Sequence, residues 1–92
     1  MQQAAPFILT LKRNWIVQFK QYDVVKIVEL LNPAKALKSE FDFRAPKVGD
    51  IATIVEIYST PCLGYELECC NKEGITQWLV TFEPSEINMV LL

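Results

Sequence analysis

Ile51-Ala-Thr-Ile-Val-Glu-Ile-Tyr58, then a loop, then Tyr65-Glu-Leu-Glu-Cys69: this stretch decides the fold. The first run is built largely of β-branched and aromatic residues, which fit a pleated, half-buried surface and crowd a helix. The second alternates strictly. Tyr65, Leu67 and Cys69 fall on one side and Glu66 and Glu68 on the other, the period of two expected of a strand with one dry and one wet face. Pro61 and Gly64 punctuate the loop between them. An antiparallel pair is expected. Aligning Glu56 with Glu68 and Tyr58 with Glu66 sets Val55 against Cys69 and Ile57 against Leu67, so the apolar side chains share the inner face. That alignment also puts two carboxylates directly across from each other, which costs stability. Lysines from the first half of the chain, or a basic partner, are then required to neutralise them.

The reading extends outward from this pair. Asn71-Lys-Glu-Gly74 is a hairpin turn in which Gly74 supplies the positive φ. The next strand runs from Ile75 to Phe82, with its inward phase left open because Trp78, Leu79 and Val80 are all apolar. Glu83-Pro-Ser85 is a turn, and Glu86 to Leu92 is a last strand or a short helical turn plus a strand. Upstream, Lys47-Val-Gly-Asp50 is a turn. From Phe19 to Leu31 both faces carry apolar groups, Val25 and Ile27 against Val24 and Val28, which predicts a central or strongly bent strand. Asn32-Pro33 is an N-cap followed by the residue best suited to the first helical position. Ala34, Leu37 and Phe41 follow at spacings of three and four, so a short helix is expected from Pro33 to about Phe41. Ala45-Pro46 ends it.

The first residues hold two more β-rich runs, Phe7 to Leu11 and Trp15 to Phe19, around Lys12-Arg13-Asn14. They predict a hairpin, or an extra strand whose residues Phe7, Leu9, Leu11 and Trp15 form an edge that pairs with a second copy of the chain. Residues 1–18 are accordingly read as an N-terminal extension and 19–92 as a single domain. About five short core strands with turn signals between them give a mainly all-β class and a small closed or partly open barrel, an architecture that removes sheet edges.

Four segments carry a resemblance: Tyr22-Asp-Val-Val25, Gly49-Asp50-Ile-Ala-Thr-Ile-Val-Glu-Ile-Tyr58, Tyr65-Glu-Leu-Glu68 and Gly74-Ile-Thr-Gln-Trp-Leu-Val-Thr81. Together they resemble the small bacterial domain-of-unknown-function family 4926, over somewhat more than half of the chain. The resemblance implies a five-stranded SH3-like barrel, with the segment Asn32 to Lys47 as an insertion that holds the short helix. Ala52 stands where that family usually has glycine. The resemblance implies no activity.

Composition narrows the chemistry. The 92 residues are 51% hydrophobic and carry a formal charge of −2, with no histidine. Histidine-dependent catalysis and histidine-bearing metal sites are excluded. The charge is divided along the chain: residues 1–47 hold eight bases and four acids, residues 48–92 one base and seven acids. A globally basic nucleic-acid surface is therefore not expected, although Lys12, Arg13, Lys35, Lys38 and Arg44 compose a local basic patch that keeps an RNA- or DNA-binding alternative open.

The three cysteines, Cys62, Cys69 and Cys70, are odd in number and two are adjacent, which argues for free thiols and a reducing cytoplasmic setting. Three thiols without histidine do not make a zinc site. Cys69 is expected in the core, Cys70 as a passive outward thiol and Cys62 as exposed. Glu66 and Glu68 lie about 7 Å apart on one strand face, but nothing near them suggests a sugar cleft for acid–base work. No apolar run is long enough to span a membrane, and Lys12 and Arg13 follow the first apolar run where a signal peptide would place them before it.

No catalytic residue, metal or cofactor is implied. The expected function is non-catalytic protein binding through an acidic outer strand face formed by Glu56, Tyr58, Glu66 and Glu68, with a basic protein as partner. A small-ligand-binding accessory barrel is the other alternative.

Overall fold

Among the described residues, short runs of β-branched residues broken by proline and glycine produce five strands and almost no helix: β1 (Val24–Leu30), β2 (Ile51–Tyr58), β3 (Gly64–Cys70), β4 (Thr76–Phe82) and β5 (Ile87–Leu91), with 3₁₀ turns at Pro33–Ala36 and Pro84–Glu86. The computed structural model describes residues 19–92. Phe7, Leu9, Leu11 and Trp15, the expected extra strand or dimer edge, lie outside the described residues. All strand pairs are antiparallel, in the order β4-β3-β2-β1-β5. The chain meanders from β1 to β4 and then returns to lay β5 along the free side of β1.

The mainly β class holds. The sheet is not closed: β4 and β5 are its two edges. The outer hydrogen-bonding groups of β4 are instead taken by the β1–β2 connection. The Phe43 N–H donates to the Gln77 carbonyl at 2.9 Å and the Arg44 N–H to the same oxygen at 3.4 Å. The Leu79 N–H donates to Asp42 Oδ1 at 3.3 Å.

The inner face collects Val25, Ile27, Ala52, Ile54, Leu67, Cys69, Trp78, Phe82, Ile87 and Met89 into one core, with Phe19, Leu30, Ile57, Tyr65 and Val80 packed against it. The open phase of β4 resolves with Trp78 and Phe82 inward and Leu79 outward, because the two largest rings in the strand meet edge to face at 6.3 Å.

Two expectations need correction. The β2–β3 register differs from the one expected: Glu56 lies opposite Glu66, not Glu68, and Glu68 lies opposite Thr53. Tyr58 lies opposite Gly64, and Ile57 opposite Tyr65 in place of Leu67. The hairpin closes two residues earlier than expected, with β3 starting at Gly64 opposite Tyr58, and a bulge between Ile54 and Glu56, where Val55 is the extra residue, adds one more residue of shift. The bulge shifts the phase so that Ala52 and Ile54 point inward before it and Ile57 after it. Val55 is therefore not paired with Cys69, and its carbonyl accepts a hydrogen bond from the Gln21 amide at 3.0 Å. A second bulge between Ile27 and Glu29 bends β1, as the apolar groups on both of its faces foreshadow.

The helix expected from Pro33 to Phe41 shrinks to a single 3₁₀ turn, Pro33–Ala36. Its start is as read: Asn32 Oδ1 accepts from the Ala34 N–H at 3.0 Å. Leu37 has already left helical geometry with ψ near 150°. A helix this short needs tertiary packing of its apolar stripe, and Leu37 and Phe41 are 69% and 90% exposed.

Candidate functional site

β2 and β3 present the expected candidate residues on the outer face of the sheet. Glu56 and Tyr58 are exposed, Glu66 and Glu68 half-buried. The alternation of β3 turns both of its glutamates outward, and the closure of the hairpin with Tyr58 opposite Gly64 sets Glu56 directly across from Glu66. Tyr58 Oη donates to Glu66 Oε1 at 3.1 Å, which holds the tyrosine proton and raises its pKa above the ordinary phenol value. Thr76 Oγ1 donates a hydrogen bond to Glu68 Oε2. Glu56 Oε1 accepts the N–H of Ile57 at 3.1 Å.

Among the described residues, no lysine of the first half neutralises this pair. The two ion pairs among the described residues are Lys35–Glu86 at 3.4 Å and Arg44–Asp50 at 2.8 Å, and neither touches the acidic face. Two like charges thus stand opposite each other, eased by the Ile57 N–H on Glu56 and the Tyr58 hydroxyl on Glu66. Replacing Glu56 with glutamine is expected to stabilise the domain by about 0.5 kcal/mol at low salt. Urea titration at low and high ionic strength checks this, and the gain should shrink as salt screens the pair.

The face is not uniformly charged. Along one cross-strand row, Leu79 lies opposite Glu68, Glu68 opposite Thr53 and Thr53 opposite Val24. Leu79 and Val24 are exposed, as is Ile51 opposite Lys26. Acidic groups therefore sit in an apolar surround.

Two members of the local basic patch, Lys35 and Arg44, are engaged within the fold. Lys35 Nζ pairs with Glu86, donates to the Thr81 carbonyl at 2.5 Å and lies 5.9 Å from the centre of the Phe82 ring. Arg44 reaches the core side, where its Nη1 and Nη2 donate to the two oxygens of Asp50 at 2.8 and 3.0 Å. Lys38 donates to the Ser39 carbonyl; Lys12 and Arg13 lie outside the described residues. Neither Lys35 nor Arg44 is available to neutralise phosphate.

Reading the sequence did not find the buried cluster around Asp50. Besides Arg44, Asp50 Oδ2 accepts from Trp78 Nε1 at 2.9 Å and from the Lys47 N–H at 3.0 Å. Burial pushes its carboxyl upward, but the hydrogen bonds from Arg44, Trp78 and Lys47 outweigh that and hold it below the ordinary carboxylate range. With four donors on two oxygens, it has little capacity left for a substrate, and its work is to tie the β1–β2 connection to the core. A local signal was present only as Gly49-Asp50, where Gly49 has φ +97°.

The thiols stand as expected, Cys69 buried and Cys62 and Cys70 exposed. A hydrogen bond to Glu83 pushes the Cys62 thiol up, and burial does the same for Cys69, so neither has the character of a nucleophilic thiolate. Among the described residues no group of three or more Cys, Asp or Glu is placed to hold a metal, and no helix is long and apolar enough to cross a membrane. A hollow lined by Phe19, Tyr65, Pro84, Ile87 and Met89 has a volume of about 30 Å³, far below the several hundred Å³ of a ligand pocket. The chain matches no protein-family model, no curated protein and no solved structure, so a functional reading rests on its own residues.

Proposed function

We propose that this protein is a non-catalytic protein-binding module whose outer β2–β3 face, Glu56, Tyr58, Glu66 and Glu68, receives a basic partner. One observation carries the reading: Glu56 and Glu66 are held across from each other with no cation on either among the described residues. A partner's lysine or arginine placed between them would turn that repulsion into attraction. Tyr58 adds an exposed ring whose hydroxyl is already oriented by Glu66, the kind of aromatic that anchors interfaces. An SH3-like barrel, and with it membership of the family of small bacterial domains named above, is part of the same proposal. The meander β1 to β4, the 3₁₀ turn at Pro84–Glu86 and the return of β5 to β1 support it.

Titration of isotope-labelled protein with an oligolysine peptide tests the reading. The expected result is amide shift changes concentrated on the outward residues of β2 and β3 at low salt, abolished at about 0.5 M salt, and weakened severalfold in the Glu56→Gln, Glu66→Gln double variant. Shifts clustered elsewhere, or none, overturn it.

A further inference from the structure

Three large apolar side chains stand exposed on β4 and on the connection bonded to its edge: Phe41 at 90%, Phe43 at 71% and Leu79 at 46%. Single exposed apolar residues are ordinary on a soluble surface, but adjacent large ones mark an interaction site. Main-chain geometry brings the segment that carries the two phenylalanines alongside Leu79. The Phe43 N–H bonds to Gln77 and the Leu79 N–H to the side chain of Asp42, so the two phenylalanines bracket a residue tied to Leu79, and Leu79 lies directly across from Glu68. The core holds no place for them, since Arg44 and Trp78 with Asp50 fill the inner side of the same edge.

We infer that the segment this surface receives is a cationic amphipathic one, its apolar residues seated on Phe41, Phe43 and Leu79 and its lysines or arginines reaching Glu68, Glu66 and Glu56. The inference rests on the acidic-face reading and names the chemistry of the partner. Charge complementarity selects the occupant: a second copy of this chain would bring the same carboxylates against these, and an acidic segment would meet repulsion at every row. Because the connection is bonded to β4, the rings are presented with less ordering entropy still to be lost on binding, and aromatic faces also attract cations.

The test compares two synthetic peptides of equal charge by calorimetry: one with leucines and lysines arranged on opposite faces, and an oligolysine. The amphipathic peptide should bind at least about tenfold more tightly, and the Phe41→Ser, Phe43→Ser double variant should bring it down to the oligolysine value. Both rings are exposed, so the variant keeps its fold, which circular dichroism checks. Equal affinity of the two peptides, or no effect of the double variant, overturns the inference and leaves the acidic-face reading intact. Failure of both peptides to bind the unaltered protein overturns both. A dimer in light scattering that the double variant abolishes would make a second copy the occupant and would also overturn the inference.

Discussion

Asp50→Ala will destabilise the domain by about 3 kcal/mol, the lower end of the cost of breaking a buried ion pair from one side. Asp50 is 6% exposed and holds two nitrogens of Arg44, the Trp78 indole N–H and the Lys47 amide. Its removal strands all of them. The lower end applies because the Arg44 side chain is 35% exposed and can turn toward water, whereas Trp78, at 0%, cannot. For a chain this short that is a large share of a total of about 5–14 kcal/mol, and the melting temperature should fall by about 15 °C. Thermal melts followed by circular dichroism measure it, and a loss under about 1 kcal/mol would show that the cluster does not hold the connection. The pH dependence follows from the same contacts. Asp50 is held below the ordinary carboxylate range despite its burial, and Glu86 is held low chiefly by the Glu83 N–H, then by Asn32 and Lys35 against a burial penalty. A depressed folded pKa gives stability that is present above the unfolded value of about 4 and lost as pH falls through the folded value. The unaltered protein should therefore lose stability more steeply below about pH 4 than Asp50→Ala does.

Trp78→Ala should cost still more, about 4 kcal/mol. The side chain is fully buried, stacks edge to face on Phe82 and donates into the Asp50 cluster, so truncation opens a cavity and removes a charge-assisted hydrogen bond together. Trp78→Phe separates the two. It keeps most of the ring volume and loses the N–H, for an expected cost of about 2 kcal/mol. Combined with Asp50→Ala it should be less costly than the sum, because both changes remove one bond. Urea unfolding of the three variants decides this. Additive costs would mean that the indole nitrogen contributes nothing through Asp50.

Where a residue's role depends on its neighbours in sequence, it was legible. The alternation of β3 fixed which of its side chains are wet, and Asn71 and Gly74 make the turn their types suggest, with Gly74 at φ +82° and Asn71 Oδ1 accepting from Glu73 and Ile75. The bulge at Val55 was not legible, because Val55 is as apolar as a residue on the inner face and nothing local marks it as the extra one. Nor was the point where the hairpin closes, Tyr58 opposite Gly64, which moved Glu56 from Glu68 to Glu66. The candidate face survived that error because a shift of two residues keeps each side chain on its own face. Leu37 and Phe41 carried helical spacing, but spacing creates a helix only where something covers the stripe. The Asp50 cluster joins residues six and twenty-eight positions away, and no local pattern encodes a partner at that distance.

The strip from Asp42 to Arg44 has one more effect. A bare strand edge is a template on which another molecule can lay its own backbone, and growth then repeats without limit. By occupying Gln77 and Leu79, those three residues deny β4 that role. A proteolytic nick there would do more than loosen a loop: it would free an edge onto which another strand can be added.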